Sequence, residues 1–196
     1  ADLLHVKASV VFNKYITDNP VTEPAKLVKL KDLFQFYDFY GTTLDGKTVN
    51  FHLPSKPGYK KSRILFLSYT AEWCKNCDYE APYLGKLYEK YHSLGLEIVM
   101  RTEYSKLDKV RDFIKKHDMK YPVIIGSIAA YDKRETIRME TFQYLLRKTL
   151  GDTRKYGTPF NIIIVDGDIE NPYVILGEMR SDQVNDLIEH TLAGTQ

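Results

Sequence analysis

Two cysteines, Cys74 and Cys77, with Lys75 and Asn76 between them, are all the cysteine this chain has, and their setting constrains the fold more than any other feature. Ahead of them runs Arg63-Ile-Leu-Phe-Leu-Ser-Tyr69, a short continuous apolar stretch of the kind that forms a buried strand. After them, Leu84, Leu87, Tyr88 and Tyr91 recur at helical spacing until Gly95 closes the pattern. The pair therefore falls where a central strand hands over to the N-terminus of a helix.

That position has chemical consequences. A helix start presents unpaired N–H groups and the positive end of the dipole, both of which stabilise a thiolate. The thiolate, and not the thiol, attacks a disulfide. Cys74, at the turn, is expected to be the exposed attacker. Cys77, one turn further in, is the buried sulfur that resolves the mixed disulfide, and Lys75 adds a positive charge favouring the Cys74 thiolate. The plainer alternative is a pair of unreactive reduced core cysteines. A small disulfide scaffold would carry more cysteines. A structural zinc site needs about four ligands, and His5, His52, His92, His117 and His190 are scattered, so zinc would require ligands that converge only in space. No metal site is expected.

Composition narrows the class further. The 196 residues suit one domain with an extension, and an aromatic content of 13% argues against disorder. A net charge of +2 speaks against a general nucleic-acid binder. No apolar run approaches the roughly 20 residues that cross a bilayer. Two motif matches fail on context. Gly41-Thr-Thr-Leu-Asp-Gly-Lys-Thr48 fits a phosphate-loop pattern, but a strand-like run and not a helix follows it. Asp166-Gly-Asp-Ile-Glu170 suggests calcium, yet Gly177 stands where an EF-hand loop needs its twelfth-position Glu.

Ala71-Glu-Trp-Cys-Lys-Asn-Cys77 resembles the active-site signature of the thioredoxin superfamily. The wider pattern is similar to its TlpA-like branch of membrane-anchored or periplasmic bacterial thiol–disulfide oxidoreductases. The matching pieces are Leu44-Asp-Gly-Lys-Thr-Val49, the WCxxC, Glu80 and Pro82, Leu94-Gly-Leu-Glu-Ile-Val99, Tyr121-Pro122-Val123 and Gly157-Thr-Pro-Phe-Asn-Ile-Ile-Ile-Val-Asp166. They follow in the expected order from about residue 35 to the C-terminus.

The resemblance implies a thioredoxin-like α/β fold with a central mixed sheet flanked by helices. It implies a redox-active pair, Cys74 and Cys77, that works on protein substrates without metal or organic cofactor, supplied by an upstream redox partner protein, in the periplasm or otherwise outside the bacterial cytoplasm. Pro159 matches the family's cis-proline, and with Thr158 and Trp73 it would seat the substrate strand; otherwise it is an ordinary proline at a strand's first position. Glu80, three residues after Cys77 and so on the same helix face, would take the proton Cys77 loses, or else is an ordinary first-turn glutamate. Thioredoxin carries a buried Asp on the preceding strand where this chain has Ser68, which favours Glu80. Family habit points to a reductase, whereas a thiolate stabilised by Lys75 points towards an oxidase or isomerase. The rival of another class is a binding or chaperone module with an inactive CxxC.

Residues 1–34 are expected to be an N-terminal extension, lacking the charged start, long apolar run and cleavage pattern of a signal peptide. Residues 35–196 are the thioredoxin-like domain. Asp45-Gly46 predicts a hairpin within 36–53, Lys56, Lys60, Lys61 and Arg63 a solvated basic loop, Leu96–Arg101 and Val123–Ile125 strands, and Leu107, Val110, Phe113 and Ile114 one helical face. Phe160–Val165 and Tyr173–Leu176 should pair as a hairpin, and Ser181 should cap a last helix bearing Val184, Leu187, Ile188 and Leu192. Residues 127–156 predict a helical insert with Ile137, Phe142, Leu145, Leu146 and Leu150 on its apolar face. The insert would shape partner choice or serve as structural decoration. Nothing resembles a dimerisation domain, so a monomer is expected.

Overall fold

The computed structural model describes residues 39–51, 63–126, 134–168 and 172–193. The expected N-terminal extension, the basic loop apart from Arg63, and the first part of the insert lie outside them. Two strands, β1 (Phe39–Thr42) and β2 (Thr48–Phe51), pair antiparallel. The turn between them is closed by Thr43 N–H on the Lys47 carbonyl at 2.9 Å and passes through Gly46 at φ +83°, a conformation glycine adopts without strain. The phosphate-loop match thus lies in a hairpin whose Thr48 opens a strand.

The main sheet has five strands in the order β5-β4-β3-β6-β7, formed by β3 (Ile64–Thr70), β4 (Leu96–Thr102), β5 (Val123–Ile125), β6 (Phe160–Val165) and β7 (Tyr173–Ile175). β3 runs parallel to β4 and antiparallel to β6, so the sheet is mixed. Every residue of the central strand β3 is buried, which is why its sequence opens on the apolar run of residues 64–67 and does not alternate. The β6–β7 hairpin has the expected pairing, with Ile162 opposite Val174. The first hairpin touches the sheet through a bridge between Thr43 and Ile124.

Helices α1 (Lys75–Tyr91), α2 (Leu107–Lys116) and α5 (Ser181–Ala193) supply Leu84, Leu87, Val110, Phe113, Val184 and Ile188 to one apolar cluster with Ile64, Phe66, Ile98 and Ile163 of the sheet. Each such side chain contributes about 1.5–3 kcal/mol when fully buried. α1 gives way to a 3₁₀ turn at His92–Leu94, and Gly95 ends it at φ +116°. Ser181 is the first residue of α5 and not the residue before it: Val184 N–H bonds the Arg180 carbonyl.

The expected insert is two short helices, α3 (Glu135–Arg138) and α4 (Phe142–Thr149), and its apolar face departs from expectation. Leu146 and Leu150 are buried, but Leu145 is 56% exposed. Gln143 and Arg147, both 0% exposed, take the remaining inward positions. Spacings of three and four put residues 143, 146, 147 and 150 on one side of a helix; there Gln143 is bonded through both amide atoms, and Arg147 through Nη1 alone, its Nε and Nη2 being buried without a hydrogen-bond partner.

Candidate active site

β3 ends at Thr70, and the next turn delivers Cys74 as the N-cap of α1. Cys77 N–H donates to Cys74 Sγ at 3.3 Å, and Asp78 N–H donates to the Cys74 carbonyl at 3.0 Å. The sulfur thus occupies the place where a Ser or Asp oxygen usually caps a helix. Both cysteines are free thiols. Cys74 is the more open of the two, as expected, but only just: it is 8% exposed and Cys77 2%.

The environment drives the two sulfurs apart in acidity. Cys74 is lowered from 9.0 to about 7, chiefly by a hydrogen bond from the Cys77 thiol, against the opposing effect of burial, with help from Thr158 and the amides of Cys77 and Asn76. Cys77 is raised well above 9.0, first by burial and then by Cys74. The Lys75 side chain, from which a stabilising charge was expected, is exposed at the helix start, and the leading contribution comes from the partner sulfur.

Two loops flank Cys74. On one side the chain leaves β4 through Glu103, whose N–H bonds the Thr70 carbonyl at 2.7 Å, and Tyr104, whose carbonyl accepts from Trp73 Nε1 at 2.9 Å. On the other lie residues 156–159, where the Thr158–Pro159 peptide is cis and the Thr158 carbonyl accepts from the Cys74 thiol at 3.5 Å. Tyr156 stands edge-on to Trp73, with ring centroids 4.9 Å apart. The structure thus brings Trp73, Cys74, Thr158 and Pro159 together around the thiol.

Glu80 lies one turn along α1 and is buried. Its Oε1 accepts from Asn161 Nδ2 at 3.0 Å and from Met179 N–H at 3.2 Å. Burial nevertheless dominates and pushes the carboxyl up from 4.5 to about 8, with further upward pressure from the Glu178 and Cys74 charges. That value lies well above the ordinary carboxylate range. Ser68 is buried on β3 with no hydrogen-bond partner for its hydroxyl.

Sequence reasoning missed Glu103, buried beside Arg101 and pushed by burial from 4.5 to about 7. It also missed the polar group from α3, α4 and the following loop: Arg138, Gln143, Arg147 and Asp152, each at most 5% exposed, with Arg154 beside them. Among the described residues, no cluster of three or more His, Cys, Asp or Glu could hold a metal ion. His117 Nε2 faces Asp78 at 2.7 Å, and His92 Nδ1 faces the Leu96 carbonyl at 3.2 Å.

A mixed sheet whose middle strand ends at a helix-capping cysteine pair, faced across the site by a cis-proline, defines a protein of the thioredoxin superfamily. Comparison with known proteins agrees and is more particular. The AhpC/TSA family model matches residues 34–150, and the chain belongs to that family. Its relatives place it on the TlpA-like side of the superfamily. It is 34% identical over 88 residues to the thiol–disulfide oxidoreductase ResA of Bacillus cereus, which covers 45% of this chain and 47% of that protein. The chain thus matches about half the length of these curated relatives. Among solved structures, a thiol:disulfide interchange protein of the thioredoxin family from Chlorobium tepidum superposes with a TM-score of 0.58 at 20% identity, covering 79% of this chain and 93% of that one. A secreted disulfide oxidoreductase from Mycobacterium tuberculosis superposes with a TM-score of 0.52 at 12% identity, covering 78% and 95%. At these identities the likeness establishes the fold. No helix among the described residues is long and apolar enough to cross a membrane.

Proposed function

We propose that this protein is a thiol–disulfide oxidoreductase that reduces protein disulfides outside the bacterial cytoplasm, with Cys74 as nucleophile and Cys77 as resolving thiol. The observation that carries this reading is the opposite tuning of two adjacent sulfurs, one lowered to about 7 and the other raised well above its ordinary value. Cys74 thiolate attacks one sulfur of the substrate disulfide; the new S–S bond replaces the old, and the second substrate sulfur leaves as a thiolate. Cys77 gives its proton to the Glu80 carboxylate and attacks Cys74 Sγ, releasing the first substrate sulfur and closing the Cys74–Cys77 disulfide. Two electrons pass to the substrate, and an upstream redox partner protein must return them. Trp73, Thr158 and Pro159 seat the substrate strand. The chain acts as a monomer and requires no cofactor, because the electrons travel in the dithiol.

The degree of tuning supports the reductive direction. Stabilising the thiolate stabilises the reduced form and makes a pair oxidising, and strong oxidants hold their cysteine near 3.5, whereas thioredoxin stands near 7. A Cys74 at about 7 belongs with the latter. Relatives named as thiol–disulfide oxidoreductases and a neighbour described as secreted support the class and the compartment. The test is the reduction potential of the pair. Trp73, the one tryptophan, reports it by fluorescence in glutathione or dithiothreitol buffers. A value near or below about −250 mV is expected. One above about −180 mV would make the protein an oxidase or isomerase, and no transition at all would leave a binding or chaperone module with an inactive pair.

A further inference from the structure

We propose that Gln143 is a positioning residue that ties together the two loops flanking Cys74 and thereby sets how well a protein disulfide is seated; the proposal rests on the oxidoreductase reading above. A fully buried amide is costly unless its valences are met, and here the three hydrogen bonds it makes all go to the site. Gln143 Oε1 accepts from Tyr104 Oη at 2.8 Å, on the loop whose carbonyl holds Trp73. Gln143 Nε2 donates to the carbonyls of Tyr156 and Gly157, each at 3.2 Å, immediately before Thr158. One side chain from α4 thus reaches both walls of the cleft.

The rest of the segment braces the second wall. Arg154 donates to the carbonyls of Pro159 at 3.2 Å and Gly157 at 3.4 Å, on either side of the cis peptide. Asp152 holds Arg154 at 2.7 Å and the fully buried Arg147 at 2.9 Å. Gly157, at φ +65°, packs so closely on Arg147 that a Cβ there would overlap the guanidinium. The walls also meet through rings, Tyr156 with Trp73 at 4.9 Å and with Tyr104 at 5.6 Å. A protein disulfide must fit between Trp73 and Thr158–Pro159 as well as reach Cys74. A small disulfide needs little beyond the sulfur, so wall spacing weighs on the former.

Gln143→Leu removes all three hydrogen bonds with little change in volume. The expected result is a red-shifted Trp73 emission and a KM for insulin reduction raised about tenfold, the effect of roughly one hydrogen bond's worth of alignment. kcat/KM for insulin should fall well beyond that for glutathione disulfide. Tyr104→Phe, which deletes one of the three bonds and keeps the ring, should shift both readouts in the same direction by less, and it serves if the leucine variant fails to fold. Unchanged emission, or equal losses on insulin and glutathione disulfide, overturns the proposal. A wild-type protein that leaves insulin intact overturns the oxidoreductase reading instead, and the emission of the variants still decides whether Gln143 holds the walls.

Discussion

Glu80 makes the pH dependence of stability calculable. Its carboxyl titrates at about 8 in the folded protein against an ordinary 4.5, mainly because it is buried. Between those two values the folded protein keeps a proton that the unfolded chain has released, so raising the pH through this window favours unfolding. Each pH unit is worth about 1.4 kcal/mol, and the whole interval therefore costs the folded state about 5 kcal/mol, of which about 4 kcal/mol falls between pH 5 and pH 8.5. Glu80→Gln removes the titration while keeping an oxygen to accept from Asn161 and Met179. Urea unfolding of both reduced proteins at the two pH values isolates the effect. Glu103 destabilises the fold over a similar window but is present in each protein and cancels in the difference; Cys74, which stabilises the fold above pH 7 and whose charge is among the causes that raise Glu80, cancels only in part. The variant should gain about 4 kcal/mol on the wild type between pH 5 and pH 8.5, or about 2 M in urea midpoint for a slope of about 2 kcal/mol/M. A difference between the two proteins that does not change with pH refutes the reasoning, since Glu80 would then be ionised in the fold or would titrate as an exposed group does.

Two further results are expected. Because the Cys77 thiol is the first cause of the low Cys74 value, Cys77→Ala should move the midpoint of the alkylation rate against pH up from about 7, while Cys77→Ser, which keeps a donor, should move it less; an unmoved midpoint in the alanine variant removes the partner sulfur as the cause. Asp152→Ala leaves the Arg147 guanidinium buried without its carboxylate, and should cost about 3–5 kcal/mol in urea unfolding; a loss below about 1 kcal/mol would mean that water or a carbonyl replaces the carboxylate.

The parts of this molecule legible in the sequence are those whose physics is local. The largely apolar β3, the Asp45-Gly46 turn, the helix opening at the cysteines and the hairpin of β6 and β7 each follow from neighbouring residues. What could not be read depends on partners far along the chain. Gln143 and Arg147 look like solvent positions of a helix, and Leu145 like a core position, until Tyr104, lying 39 residues from Gln143, supplies the bond that allows an amide inside. Glu80 is bonded by Met179, 99 residues away. Lys75 was the visible charge beside Cys74, yet the nearest thiol outweighs it, because a hydrogen bond in a closed site is worth more than an exposed ammonium.

The same enclosure links the groups of the proposed reaction. Two anions close together in a poorly solvated site oppose each other's ionisation, and the Cys74 charge is among the causes that hold Glu80 high. While Cys74 is a thiolate, its charge adds to the burial that is the main reason Glu80 is held high. Once Cys74 is bonded to a substrate sulfur it carries no charge, and that upward pressure on Glu80 ends. The carboxyl then ionises more readily at the stage when Cys77, itself raised by burial, has a proton to lose. The two titrations belong to one coupled system, so the proposed transfer of the Cys77 proton to Glu80 becomes easier once Cys74 has lost its charge.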